Sequence, residues 1–159
     1  MVLRTSNIKW LVFLALVVAM GVLPDSTGAM FCSTSWGPKT VSGVTLRGDL
    51  AIDVHRAETD YWGSSVSTAS AALQWVGARN KGVETCNFGR ETDWDNESWT
   101  SYGRRASVTG FGGFCDFPCC LFIHGLKVDG WFYFQHLWQI NETGHKDLFG
   151  SPSTGACSE

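Results

Sequence analysis

The chain has 159 residues, with 12 Lys+Arg against 15 Asp+Glu and a formal net charge of −3. That length holds one domain, and a composition of 44% hydrophobic and 17% charged residues excludes a disordered chain. A slightly acidic chain lacks the general basic character that gripping DNA by charge requires.

Arg4 and Lys9 precede an apolar run from Trp10 to Leu23, which Pro24 ends. The run is shorter than the roughly 20 residues a bilayer crossing needs. Thr27-Gly28-Ala29 sets small residues before a cleavage after Ala29. Residues 1–29 therefore read as a secretory signal peptide, and 30–159 as a single secreted domain, extracellular and without a transmembrane span. Cys32, Cys86, Cys115, Cys119, Cys120 and Cys157 all follow the cleavage point. An even set after an export signal reads as disulfides rather than metal ligands. A bridge between the two ends, Cys32 to Cys157, is one expectation, although spacing does not choose among the connectivities.

Residues 30–43 hold Ser, Thr, Gly and Pro and read as irregular. From Val44 to His55 apolar and polar residues alternate, the period-2 signature of a half-buried strand. Gly48 either weakens that strand or turns it into a hairpin, whose tip would then display Arg47-Gly48-Asp49 as an adhesion-type tripeptide. Residues 57–65 read as loop, and residues 67–79 as a short helix or a further strand. Glu91, Asp93, Asp95 and Glu97 alternate in a polar stretch over 87–103 and read as a solvated acidic loop rather than a calcium site. Two sequons, Asn96-Glu97-Ser98 and Asn141-Glu142-Thr143, read as N-glycosylation sites on loops. Trp94 and Trp99 flank the first of them, so they are the candidates for an exposed contact surface.

The strongest local signal lies over 119–140. Asp129-Gly130 separates two runs rich in aromatic and β-branched residues, which predicts a tight two-residue hairpin. Val128 would then face Trp131, and Ile123 would face His136, with His124 and His136 on opposite faces. The expected fold is mainly β: a small disulfide-stapled sandwich or barrel-like domain with at most one short helix and a central hairpin over 119–140. Residues 141–159 read as a tail held by Cys157.

One segment resembles a family. Phe114-Cys115-Asp116, Cys119-Cys120 and Phe122-Ile123-His124-Gly125-Leu126 are similar to the first active-site segment of the T2-type secreted ribonucleases. The resemblance implies a catalytic role for His124, with His136 in the place of the second catalytic histidine, one as base and one as acid on RNA.

From the residues themselves the chain reads first as a non-enzymatic binding protein: secreted, disulfide-stabilised, N-glycosylated, of an effector-, toxin- or lectin-like kind. Its partner would be an extracellular protein or glycan, with no cofactor and no metal. The alternative is a small secreted ribonuclease-like hydrolase using His124 and His136, with RNA as its substrate.

Overall fold

A computed structural model describes residues 30–55, 60–86, 89–113, 123–151 and 156–159. The signal-peptide reading over 1–29, and Cys115, Cys119 and Cys120, lie outside these residues. So do the side chains of Cys86 and His124.

Seven antiparallel strands account for nearly all of what is described, with no helix among these residues. They are β1 (Met30–Val41), β2 (Val44–His55), β3 (Asp60–Cys86), β4 (Gly89–Gly113), β5 (Ile123–His136), β6 (Ile140–Ser151) and β7 (Ala156–Ser158). The β class, the strand from Val44 and the end-to-end bridge are borne out. Of the two readings of 67–79 the strand holds, as the middle of β3, and β1 occupies the stretch expected to be irregular.

The frame is the long hairpin of β3 and β4, 27 and 25 residues. Its register breaks between Thr68 and Leu73, and there the hairpin bends. The first half of β3 pairs with β2, from Leu46↔Ala69 to His55↔Asp60. The second half pairs with β5, from Trp75↔Gln135 to Cys86↔Ile123. β1 flanks β2, and β6 and then β7 flank β5, so two layers face each other. The inward parity of β3 changes across the bend, from Tyr61, Ser65, Ser67 and Ala69 to Val76, Ala78, Asn80 and Glu84. A bend that did not shift the alternation would have turned the apolar face of one half outward.

Side-chain volume is shared unequally between the layers. Phe132 fills the place of a missing side chain at Gly48, where a Cβ would lie 2.2 Å from its ring. Trp94 lies against Gly63, Gly82 and Gly110, and Trp36 against Gly144. Leu46, Leu50, Ile52, Leu126, Val128 and Phe134 complete the core. Two polar links tie the halves of β3 together inside it. Ser67 Oγ donates to Gly77 O at 2.6 Å, and Asn80 Nδ2 donates to Ser65 Oγ at 2.9 Å. Asn80 Oδ1 accepts from the Trp94 indole N–H. The buried side chains of Ser65, Ser67 and Asn80 thereby keep partners.

The wall nearly closes on itself. β1 and β6 approach through Trp36 lying against Gly144 and the Lys39–Glu142 ion pair at 2.8 Å, without a backbone ladder joining them among the described residues. The Cys32–Cys157 disulfide, Cα–Cα 5.9 Å, bridges that seam from β1 to β7.

The turn expected at Asp129-Gly130 needs correction, and of the two readings of Gly48 the strand holds. Asp129-Gly130 is not a turn: β5 runs straight through it, with Lys81↔Asp129↔Asp147 and Asn80↔Gly130↔Lys146 in register on both sides. Leaving the ladder there would abandon backbone pairing with two neighbours. Gly130 is small because a Cβ would lie 2.8 Å from Leu50 and from Ser65. The tight hairpin is instead at Ser42-Gly43, with φ of 50° and 79°, between Val41 and Val44. Positive φ at both central residues is what a type I′ turn demands. Arg47-Gly48-Asp49 lies in mid-strand, where Arg47 Nε donates to Asp49 Oδ1 at 2.8 Å, so it is not a displayed tip.

Candidate functional site

Trp94 and Trp99 separate at once. Both lie on β4, but an odd number of positions apart, so they point to opposite sides of the sheet. Trp94 is buried at 7% exposure, which removes it from any contact surface; Trp99 is exposed at 46%.

Trp99 belongs to a set of side chains on the outer face of β4, β3, β5 and β6. Rows across these strands follow from the register. One runs Trp99, Gly77, Tyr133, Thr143, and the next runs Glu97, Arg79, Trp131, His145. Beyond Trp99 lies the row Ser101, Trp75, Gln135, Asn141. A Cβ at Gly77 would come within 2.5 Å of the Trp99 ring, so the indole lies flat on the strand. It stacks on Tyr133 with centroids 5.1 Å apart and planes 23° apart, and its N–H donates to the Glu97 carboxylate. With Gly77 and Tyr133 against it, Trp99 still keeps about half of its surface in water.

The adjoining row is held by charge. Arg79 donates through Nε and Nη2 to both oxygens of Asp95, at 2.7 and 2.6 Å. Its guanidinium carbon sits 4.8 Å above the Trp131 ring, which lies 5.0 Å from His145. The hydrogen bond from Arg79 holds the Asp95 carboxyl below its ordinary range, and the same bond holds the guanidinium firmly protonated. Further along, Lys127 Nζ contacts Asp129 at 2.8 Å and Asp147 at 3.3 Å, and its ammonium pKa is raised, chiefly by the hydrogen bond to Asp129. His145 Nε2 lies 3.2 Å from the same Asp129 oxygen. Arg79, Lys81 and Lys127 are thus balanced by Asp95, Glu97, Asp129 and Asp147.

Asp93 stands apart in the acidic run. Trp94 pairs with Gly82 and Thr92 with Val83, which leaves Asp93 as the extra residue of a bulge. Its Oδ2 is buried and accepts no hydrogen bond among the described residues, and burial pushes the carboxyl from 3.8 up to about 6. Between those values the folded chain keeps a proton that the unfolded chain has released. Stability therefore falls as pH rises through that window, and the loss is complete above it. We expect Asp93→Asn to melt higher than wild type at pH 7 and alike at pH 4. The gap opens through the window in melts followed by circular dichroism. It is modest because the carboxyl is partly in water.

The remaining sequence candidates do not converge. His136 ends β5, with its Nδ1 enclosed and unpartnered among the described residues. His124 lies at the start of the same strand, beside the register shift opposite Cys86. Twelve strand positions separate the two, about 40 Å of path at some 3.3 Å per residue. Since they belong to one strand, the expectation that a turn sets them on opposite faces of a hairpin is corrected. Asn96 and Asn141 are exposed on strands rather than loops, and Asn96 Nδ2 donates to Thr109 O at 3.1 Å. No group of three His, Cys, Asp or Glu could hold a metal among the described residues. A shallow pocket of about 230 Å³ between β6 and β7 lies below the roughly 300–1,000 Å³ of usual ligand cavities.

No family model, curated protein or solved structure matches this chain.

Sequence reasoning missed Trp75, Arg79, Trp131, Tyr133 and His145 as a group. The signal was present in β5, where Lys127, Asp129, Trp131 and Tyr133 alternate with Val128, Phe132 and Phe134. Reading a turn at Asp129 divided that alternation in two.

Proposed function

We propose that the protein is a secreted, non-enzymatic binding protein that takes a carbohydrate on the outer face of β4, β3, β5 and β6. The observation that carries this reading is Trp99 lying over Gly77 and stacked on Tyr133 while it stays exposed to water. An indole backed by protein and still open to water suits the apolar side of a sugar ring, and nearby polar groups suit its hydroxyls. Gln135 and Glu97 stand beside it with Trp75 in the adjacent row. Single-stranded nucleic acid also stacks on aromatic platforms, but it needs a cationic groove. The balanced charges of this face and a net charge of −3 favour a neutral ligand.

Glycan-array binding followed by calorimetry tests this. Trp99→Ala should weaken binding roughly tenfold, equivalent to about 1.4 kcal/mol. Trp75→Ala should act in the same direction, while melting temperatures stay near wild type. Absence of glycan binding by wild type, or equal binding by both variants, overturns the reading. RNA turnover that disappears in His124→Ala would put the ribonuclease alternative in its place.

A further inference from the structure

The end of the molecule formed by the strand turns carries a second, independent surface. The β1–β2 turn at Ser42-Gly43, the bends of β3 and β4 and the β5–β6 turn all lie there. Ser42 Oγ donates to Gln139 O at 3.4 Å, and the Leu137 N–H donates to Gln74 Oε1 at 3.4 Å. Gln74 stands between the Leu73↔Gly103 and Trp75↔Ser101 pairs, so Tyr102 lies one strand away on its other side. Leu137 and Tyr102 are thus about 10 Å apart, two strand spacings.

Tyr102, Leu137 and Trp138 are the most exposed large residues at this end, at 76%, 61% and 87%. Tyr102 and Leu137 also have positive φ, 50° and 48°, a backbone state that glycine enters freely and bulky residues enter at a cost. Neither gains burial in return. Two adverse backbone choices that bring no burial are a reason to look for a contact outside the fold.

Charge says what that is. Arg104 and Arg105 follow Tyr102 after Gly103, both exposed, and neither forms an ion pair among the described residues. Residues 68–75 and 100–106 contain no carboxylate, and the nearby Glu142 is held by Lys39. In an acidic chain this end is basic. Its exposed apolar groups come from two places, Tyr102 from the bend of β4 and Leu137 with Trp138 from the β5–β6 turn. Trp and Tyr favour the headgroup level of a bilayer, and arginines beside them favour anionic lipid.

We infer that this end docks on an anionic lipid surface, with Leu137, Trp138 and Tyr102 entering the headgroup region and Arg104 and Arg105 meeting the phosphates. The docking is peripheral and independent of the sugar-binding face.

The test is co-sedimentation of the full chain with vesicles of phosphatidylcholine alone and of phosphatidylcholine mixed with phosphatidylserine. Wild type should sediment with the mixed vesicles, and less as salt rises. Trp138→Ala should lower the partition about tenfold, and each of Arg104→Gln and Arg105→Gln about fivefold on the mixed vesicles only. All three sites are exposed, so circular dichroism should be unchanged, and Trp99→Ala should leave sedimentation intact. Failure of wild type to sediment, equal partition on both vesicles, or no effect of Trp138→Ala overturns the inference. So does self-association that Trp138→Ala abolishes in the absence of lipid, which would make this end a contact between copies of this chain.

Discussion

Trp94→Ala should destabilise the domain by about 3–5 kcal/mol, the range for removing a fully packed tryptophan. Against a total of about 5–15 kcal/mol, that brings the domain close to unfolding. The indole occupies a slot that Gly63, Gly82 and Gly110 leave open, and glycines cannot reach in to refill it. Its loss also orphans Asn80 Oδ1, which accepts the indole N–H and whose residue is fully buried. An orphaned buried acceptor costs about 1–3 kcal/mol by itself. Trp94→Phe therefore separates the two contributions: it keeps most of the ring and removes the donor, and it should fall between wild type and Trp94→Ala. Thermal melts by circular dichroism should place Trp94→Ala roughly 10–20 °C below wild type. Trp99→Ala, five residues away on the wet side, should move the midpoint by only a few degrees. Equal shifts for the two tryptophans would contradict the assignment of one to the core and the other to the surface.

Replacing both Cys32 and Cys157 by Ala should cost about 3–5 kcal/mol. The bridge spans 125 residues of sequence, and closing so long a loop restricts the unfolded chain strongly, by about 5 kcal/mol in the chain-entropy account. Among the described residues nothing of similar strength stands in for it. β7 is three residues long, exposed throughout, and pairs with β6 alone. β1 meets β6 through Trp36 against Gly144 and the Lys39–Glu142 pair rather than through a ladder. Urea unfolding should show the loss as a lower midpoint. The slope should also steepen, because the unlinked denatured chain exposes more surface. A midpoint within error of wild type would show that the seam holds by packing alone.

The β class was legible where alternation was written in large apolar residues. Val44 to His55 and the aromatic run of β5 are such places. It was illegible in β3, because Tyr61, Leu73 and Val76 are the large apolar residues among inward positions otherwise filled by Gly63, Ser65, Ser67, Ala69, Ala78, Asn80, Gly82 and Glu84. The small ones reflect Trp94, Val128 and Phe132 arriving from other strands, which is tertiary information. Turn chemistry was legible in kind and misplaced in position. Asp-Gly and Ser-Gly both permit positive φ, and what decides is whether the flanking residues already have partners on both sides. Trp94 and Trp99 were grouped because they flank one sequon. Treating 89–113 as a strand would have parted them by parity, and Trp131 with Tyr133 would then have joined Trp99 on the wet side.

The complementary filling of Gly48 by Phe132 and of Gly144 by Trp36 makes these positions mutually dependent. Enlarging one member alone collides, and shrinking the other alone leaves a void. Only a simultaneous exchange, bulk moved from one layer to the other, preserves the total volume. Descendants of this sequence would therefore vary at such places in matched couples, and that covariation would trace the facing of the two layers without any structure at all.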